Sequence, residues 1–522
     1  MSNTQASSKM ISLVPTNGTE FDCQQGQKVI FELPPNLGMV SGRQSHLALD
    51  ICNTSSDNKR LHLDQTAGAD AVISRIDIYS LATGTHLETL QNYNQWSSIN
   101  HQYLYEDKTN LQTLEGCGSD VYAFNAGSAP VTATPATPDA VISPIKTDGT
   151  HYYNFRRFTS PLKSGVFRWW DDDKLCPVMA LGGGLRLEMT LENPNIALHY
   201  FKAVAGDLTE YDIGPSSTAG IAMDDNTSGG ALLTVSSSLD FDSVEDCGLA
   251  IGNQIRVGMS GFADITDAVV SGLAIAPSGK LNVTFTSVGT PAGVPDTATN
   301  IVVRLRGETR KCLVRPQFRV LSIAPPQDVI GRLGNGFKYE FTSYDYHTST
   351  LLASATRHQV ELNSVATKAV CIMSSFSNTS QYESDNHSSY FTGATPTLTD
   401  LNSVQYFLNN RLAPVRSYNP RLLNEKVVAM NETVKAFDSV SREAQDLGND
   451  DGANMADYTN TFLISRQLAK RPFYYDLKEA EGQIRLGFLN TPTRTQPFQI
   501  NTFIWSKKVV DIGGDGNIEV EL

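Results

Sequence analysis

Apolar and polar side chains alternate almost without error along GGGLRLEMTLENP, residues 182–194. One side of this stretch carries Leu185, Leu187, Met189 and Leu191, and the other carries Arg186, Glu188, Thr190 and Glu192. Because successive side chains of a strand point to opposite faces, the pattern predicts a strand with one buried face. We expect Leu187 to be buried and Arg186 to point away from the core, since a slip of one residue would reverse both faces.

A similar strand occurs about 300 residues later, in GQIRLGFLNTP at 482–492. Here we expect Ile484 to be buried and Arg485 to point away from the core. Two further pairs of stretches occur in the same order, LDICNTSS (49–56) with VCIMSSFSNTS (370–380), and SRIDIYSLATGTHLE (74–88) with VQYFLNNRLAPVRSY (404–418). Each member of the last pair predicts a strand, a turn and then a helix. The common order indicates two similar domains in one chain.

Most of the remaining signals are those of short strands separated by Gly, Pro, Asn and Asp. The other candidates in the first half are KVIFELP (28–34), SHLALDIC (45–52), AVISRIDIYSL (71–81) and YYNFRRFTS (152–160). Helical periodicity is scarce, and its best example is 424–441, with a second candidate after 87–99. This mixture is typical of β-sandwich and barrel proteins.

The spacing between matching stretches changes along the chain, so the first half must contain extra residues. The Ala/Thr/Pro-rich segment 125–150 predicts an inserted loop. The segment from about 205 to 300 is polar and Gly-rich, but NQIRVGM (253–259) and GKLNVTFTSV (279–288) are strand signals within it. We therefore expect a second, folded insertion there. Pro325 and Pro326 mark the end of the first domain, because their missing amide hydrogens end a strand.

The order of these segments resembles the double jelly-roll major capsid proteins of virophages, polinton-like viruses and larger DNA viruses. The resemblance runs from about residue 27 to the C-terminus, and its best part is FTSPL (158–162) followed by LCPVMALGGGLRLEMTL (175–191). It implies an all-β fold of two consecutive antiparallel β-sandwiches, with long loop insertions and a few short helices. The expected divisions are an N-terminal arm (1–26), a first jelly roll (27–328) with 205–300 as an outer tower, and a second jelly roll (329–522).

For function, the resemblance implies a structural protein, the major capsid protein of an icosahedral DNA virus, built as pseudo-hexagonal homotrimeric capsomers. Two sandwiches in each of three chains would make a nearly six-fold block that tiles a shell. The implied partners are neighbouring capsomers and penton and minor capsid proteins, and the implied location is the virion. The virus and host, the triangulation number, contact with a membrane and a receptor-binding role of the outer loops stay open.

Composition narrows the function further. A length of 522 residues with 40% hydrophobic residues is ample for a large core. The net charge of −14 disfavours a protein that works by neutralising phosphates, so we expect no sequence-specific nucleic-acid binding. The sequence has neither a bilayer-spanning apolar run nor an apolar N-terminal signal, so we expect synthesis in the host cell without a signal peptide, unless a signal has been removed. The seven dispersed cysteines, which form no CxxC pair, predict reduced and mostly buried thiols.

We identify no catalytic, cofactor-binding or metal-ligating set of residues, and we expect no enzymatic activity and no cofactor. The nine histidines are scattered and lie in no HExxH motif. Asp171, Asp172 and Asp173 fit a solvated charge cluster better than a cation site. DIGGDGN (511–517) fits a turn before a last strand, GGGLR (182–186) a turn into a strand, and HYYNFRRF (151–158) a core or subunit-contact strand.

Two alternatives belong to other classes. A secreted β-sandwich protein that binds or cleaves carbohydrate would carry a signal peptide, disulfides and an exposed aromatic platform or acid pair, and none of these is evident in the sequence. A minor capsid or spike protein would more often contain a single jelly roll.

Overall fold

The computed structural model describes the chain except for a set of short segments. The residues outside the description are 1–6, 55–59, 65, 104–114, 117–122, 126–129, 132–145, 148–151, 154, 171–173, 201–210, 214–231, 241–253, 260–265, 279, 288–300, 306–310, 363, 378–389, 392–393, 409–410, 441–460, 470–472, 478–481, 495–496, 515–516 and 522.

Strands make up most of the described chain. Up to residue 200 they are β1 (Ser8–Leu13), β2 (Phe21–Asp22), β3 (Lys28–Leu33), β4 (Met39–Asn53), β5 (Arg60–Leu63), β6 (Ile73–Ser80), β7 (His86–Gln91), β8 (Ala123–Asn125), β9 (Pro130–Val131), β10 (Lys146–Thr147), β11 (Tyr152–Tyr153), β12 (Arg156–Pro161), β13 (Leu185–Leu191) and β14 (Leu198–Tyr200). Then follow β15 (Tyr211–Ile213), β16 (Leu232–Asp240), β17 (Gln254–Met259), β18 (Thr266–Ile275), β19 (Lys280–Ser287), β20 (Ile301–Leu305) and β21 (Cys312–Ile323).

The second half contains β22 (Phe337–Leu351), β23 (Arg357–Leu362), β24 (Ala369–Ser377), β25 (Leu401–Leu408), β26 (Arg411–Tyr418), β27 (Ile464–Gln467), β28 (Gly482–Phe488), β29 (Phe498–Ile512) and β30 (Ile518–Glu521). The α-helices are α1 (Tyr93–Tyr103), α2 (Pro194–Ala197), α3 (Gln327–Leu333), α4 (Ala394–Asp400) and α5 (Leu423–Val440), and 3₁₀ turns lie at Pro35–Leu37, Ala69–Val72 and Val178–Ala180.

The strands form two consecutive antiparallel sandwiches with the same topology. In the first sandwich, one sheet has the order β1-β21-β4-β12 with β2 on β21, and the other has the order β3-β13-β6-β7. In the second sandwich, the orders are β22-β29-β24-β27 with β30 on β29, and β23-β28-β25-β26. The predicted all-β double sandwich is therefore confirmed. The two similar stretches 182–194 and 482–492 contain β13 and β28, and each of these strands is the second strand of a four-stranded sheet.

The other matching stretches also take equivalent positions, with one correction. LDICNTSS begins in β4 and VCIMSSFSNTS in β24, each the third strand of its sheet, while the last pair begins in β6 and β25. The predicted sequence of strand, turn and helix is wrong because a second strand, β7 or β26, follows the turn and completes a hairpin. The helices α1 and α5 begin only after these second strands, and α5 coincides with the best helix candidate.

The long insertion forms a sheet of its own, with the order β15-β20-β17-β18-β19-β16. Its strands β17 and β19 coincide with the two predicted strand signals. The insertion leaves the first sandwich after β13 and returns at β21, whereas residues 489–497 suffice to join the equivalent strands β28 and β29. Most of the predicted loop 125–150 lies outside the described residues.

The N-terminal residues pair with the end of the first sandwich. β1 and β2, which fall in the predicted arm 1–26, are hydrogen-bonded to β21. This pairing brings Cys23 and Cys312 together in a disulfide, with their Cα atoms 5.5 Å apart. The expectation of reduced thiols is wrong for this pair, because residues separated by 289 positions meet across the sheet. Cys176 remains a buried thiol, and burial raises its pKa to about 12.

Within the bounds of β13 and β28, the buried faces follow the alternation with one exception. Leu187 and Ile484 are buried, Arg186 is half-buried, and Arg485 is exposed over the ring of Phe407. Glu188, on the polar side of β13, is nevertheless buried, because its carboxylate pairs with Arg186 and, at 2.7 Å, with Lys28 of β3. Among the described residues, no helix has the length and apolar character needed to cross a bilayer.

Candidate functional site

The stretches that the sequence analysis considered as possible functional sites have structural roles wherever they fall within the described residues. Gly182, Gly183 and Gly184 have φ values of 61°, 75° and 113° and form the predicted turn into β13. A Cβ atom on Gly184 would lie 2.4 Å from the carbonyl oxygen of Leu33, so only glycine fits there. Asp171, Asp172 and Asp173 lie outside the described residues.

The two remaining candidate stretches belong to the sheets. The strands on either side of DIGGDGN, β29 and β30, pair as antiparallel neighbours, and residues 515–516 between them lie outside the described residues. In HYYNFRRF, Phe158 is buried in β12, and Arg157 donates two hydrogen bonds, of 2.6 and 2.7 Å, to the carboxylate of Asp50 on β4. These contacts are those of a core strand.

The most extensive feature that the sequence did not predict is the joint between the two sandwiches, made by α1 and residues 162–170 of the first. Its centre is Trp96 of α1, whose ring centroid lies 4.5 Å from that of Trp505, 5.6 Å from Tyr344 and 5.7 Å from Phe503. The ring of Trp170 completes the cluster, 5.2 Å from Trp505. Aromatic contacts at such distances stabilise an interface beyond their buried area.

Hydrogen bonds fix both ends of α1 on the second sandwich. Near its start, Gln95 Nε2 donates to Ser375 Oγ of β24 at 3.0 Å. At its end, the hydroxyl of Tyr103 donates to the carbonyl oxygen of Thr461 at 2.6 Å, and its ring stacks on Phe437 of α5 at 5.0 Å. Every residue of α1 except Gln102 is buried as a result.

The segment 162–170 forms the other half of the joint. Glu88 of β7 accepts hydrogen bonds from the amides of Gly165 and Val166, at 3.0 and 3.2 Å, and from the hydroxyl of Ser343 on β22. A Cβ atom on Gly165 would lie 2.1 Å from the carbonyl oxygen of Thr342. The close approach of these two backbone segments therefore requires a residue without a side chain.

A buried ionic cluster lies beneath α1. Lys163 Nζ is 2.7 Å from Asp70 Oδ2 and 3.5 Å from Glu115 Oε2, and all three residues are buried. His101 Nε2 lies 2.6 Å from the same oxygen of Glu115, and its Nδ1 lies 3.0 Å from the carbonyl oxygen of Thr66. Both ring nitrogens of His101 therefore lie close to oxygen atoms.

This cluster also has the composition of a metal site, since one ligand atom each from Asp70, His101 and Glu115 lies within 4.8 Å of the others. The ammonium group of Lys163, however, lies against both carboxylates and takes the place of a metal ion. Paired and hydrogen-bonded charges of this kind are how a protein keeps ionised groups in its interior. The cluster is therefore best explained as a structural element that holds α1 in place.

Comparison with known proteins gives structural matches only. No protein-family model matches the chain, and no curated protein matches it in sequence. The chain is similar to the capsid of the virus PBCV-1, with 10% identity and a TM-score of 0.50 over 99% of this chain and 97% of that chain. It is similar to PBCV-1 VP54 fitted into a reconstruction of the virophage Sputnik, with 10% identity and a TM-score of 0.51 over the same shares.

A third similar structure is the Faustovirus major capsid protein, with 9% identity and a TM-score of 0.50 over 97% of this chain and 90% of that chain. At such identities the likeness shows the fold. The chain has the double jelly-roll fold seen in viral major capsid proteins, and the resemblance found in the sequence is confirmed at that level.

Proposed function

We propose that the chain is the major capsid protein of an icosahedral DNA virus and forms pseudo-hexagonal homotrimeric capsomers. The observation that carries this proposal is the joint. It holds two sandwiches of the same topology in one block through Trp96, Trp170 and Glu88. A block of two near-equivalent units gives a six-unit ring when three copies surround one axis, and rotational closure of this kind is usual in homo-oligomers.

The chemistry of the described interior supports a structural role without catalysis. The close group of acidic and histidine side chains around Lys163 is buried, and its two carboxylates lie against the ammonium group of Lys163, whereas an active site needs groups that a substrate can reach. The alternative of a secreted carbohydrate-active protein gains one feature, the Cys23–Cys312 disulfide. The double sandwich, which covers nearly the full length of viral capsid chains, favours the capsid role.

The finer parts of the proposal follow from the same fold. The partners would be neighbouring capsomers and penton and minor capsid proteins, without sequence-specific binding of nucleic acid, and the location would be the virion. We propose the divisions 1–26, 27–328 and 329–522. The six-stranded sheet within 205–300 would form a tower on the outer face, since its polar composition suits solvent.

Two measurements test this function. Light scattering of the purified protein should give three times the chain mass of 56.9 kDa. An antibody raised against the chain should label the surface of intact icosahedral particles from the organism that carries the gene, and should not label them when it is first absorbed with the purified protein. Labelling of a secreted, particle-free fraction alone would favour the carbohydrate-active alternative.

A further inference from the structure

The joint between the sandwiches buries a helix of the first sandwich, α1, but leaves the equivalent helix of the second sandwich, α5, partly exposed. Helix α1 follows β7 and is buried against the second sandwich, as described above. Its counterpart α5 follows β26, and the first turns of α5 expose Leu423 to 70% and Val427 to 51%. Large apolar side chains exposed side by side on a helix indicate an interaction surface.

The segment that follows the fourth strand of each five-stranded sheet shows the same difference. After β12, the sequence LKSGVFRWW (162–170) places Phe167 and Trp170 in the buried joint. After β27, the similar sequence LAKRPFYY (468–475) places Phe473 in solvent, with 74% of its surface exposed. Among the described residues, no other large apolar side chain is as exposed as Phe473.

The two sandwiches also differ in the sheet face that could receive such a helix: this face is covered in the second sandwich and uncovered in the first. In the second sandwich, α1 packs on β22 and β29 through Tyr344 and Trp505, and every residue of the neighbouring strand β24 is buried. The counterparts of β22 and β29 in the first sandwich are β1 and β21. No residue of β1 is buried, Met10 on β1 is 47% exposed, and β21 alternates between buried and half-buried residues.

From this asymmetry we infer that the exposed apolar side chains of Leu423 and Val427 on α5 and of Phe473 after β27 dock on β1 and β21 of a second copy of this chain, head to tail. The contact would repeat the internal joint between copies. It is also continuous with that joint, because α5 begins at the exposed surface and reaches the joint with Phe437, which stacks on Tyr103. A groove of about 560 Å³, lined by Leu412, Arg466, Leu468 and Tyr475, lies beside β27 and can receive side chains of the neighbour.

This inference rests on the proposed homotrimer, and its test separates the two. In light scattering over a dilution series, Phe473→Asp should raise the dissociation constant of the oligomer at least about tenfold, as expected when a charge enters the centre of an apolar contact. Val427→Asp and, on the opposite surface, Met10→Asp should do the same. The matched control is Leu352→Asp, which places a charge at a residue that is 62% exposed at the end of β22 and outside both surfaces.

A cross-linking arm reports the contact itself, whatever the variants do to folding. The photoreactive residue benzoylphenylalanine at position 473 should give intermolecular cross-links to peptides that contain residues 8–13 or 312–323. Cross-links only to the second sandwich of the neighbour, or a Phe473→Asp protein that stays as oligomeric as the control, would overturn this docking surface and leave the homotrimer standing. A wild-type protein that is monomeric at micromolar concentration would instead overturn the proposed function.

Discussion

The indole rings of Trp96 and Trp505 lie 4.5 Å apart, centroid to centroid, although one belongs to the first sandwich and the other to the second. Both residues are buried. Two sandwiches joined only by a loop would keep such rings within their own cores. The shared cluster means that neither sandwich completes its packing alone, and the chain should unfold as one unit.

The variant Trp96→Ala tests this coupling. Loss of a buried indole typically costs about 3 to 5 kcal/mol, and here it would also weaken the contact between the sandwiches. We expect the single calorimetric transition of the wild type to move to lower temperature and to split into two. Trp96→Phe, which keeps an aromatic ring, should retain one transition. A single, unshifted transition in Trp96→Ala would contradict the role of the cluster.

A glycine pair tests the close approach at the joint. Gly165→Ala would place a Cβ atom 2.1 Å from the carbonyl oxygen of Thr342, so the two backbone segments must move apart. Overpacking of this kind costs about 1 to 3 kcal/mol of the free energy of unfolding. The control Gly331→Ala lies in α3 with no atom within 4 Å of the new Cβ, and it should stabilise the protein slightly because alanine favours the helix. The urea midpoint should therefore fall in Gly165→Ala and rise slightly in Gly331→Ala. Equal shifts in the two variants would refute the close approach of Gly165 to Thr342.

The buried cluster around Lys163 makes a prediction about charge and metal. Lys163→Met would leave Asp70 and Glu115 without their ammonium partner, and breaking a buried pair from one side costs about 3 to 5 kcal/mol. In the control, Lys338→Met removes an exposed partner of Asp511 and should leave the melting temperature nearly unchanged. Treatment of the wild type with a chelator should not change its melting temperature. A fall on chelation would show that a metal ion, and not the ammonium group, holds the cluster.

Asp77 predicts a dependence of stability on acid. Burial by itself would raise the pKa of Asp77, but the nearby ring of His86 and the hydrogen bonds donated by Arg75 and Thr89 outweigh it and hold the pKa well below the usual range. A lowered pKa in the folded state stabilises the protein above the pKa of the unfolded chain, and this contribution disappears as the pH falls below about 4.

The measurement is the urea midpoint of the wild type and of Asp77→Asn between pH 6 and pH 2. The wild type should be the more stable protein at pH 6, and the difference should shrink steadily below about pH 4. A difference that stays constant down to pH 2 would show that the carboxylate charge of Asp77 contributes nothing.

Alternation predicted the strands that have one buried face, and repetition predicted their equivalence. Leu187 and Ile484 are legible as core positions because their neighbours along the strand are polar, and a period of two leaves one choice of face. The folded insertion could be predicted because the sequences of β17 and β19 are apolar enough to indicate strands within a polar segment. The short strand β1 could not be predicted, because none of its residues is buried and its partner β21 lies about 300 residues away.

The sequence did not predict the features that depend on contacts between residues far apart in the chain. Asp70, His101, Glu115 and Lys163 form no motif, since they come from different elements and meet only when α1 packs. Cys23 and Cys312 lacked any spacing signal for the same reason. Glu188 was expected on a solvated face, and only the structure shows that Lys28 and Arg186 neutralise it.

Electron microscopy of the purified protein tests most directly the proposal that this chain builds a capsid from blocks of two equivalent sandwiches. Class averages viewed along the particle axis should show a nearly hexagonal outline made of six similar densities, with three additional towers from the insertion within 205–300. Particles the size of a single 56.9 kDa chain, or a ring without alternating sandwiches, would contradict the account.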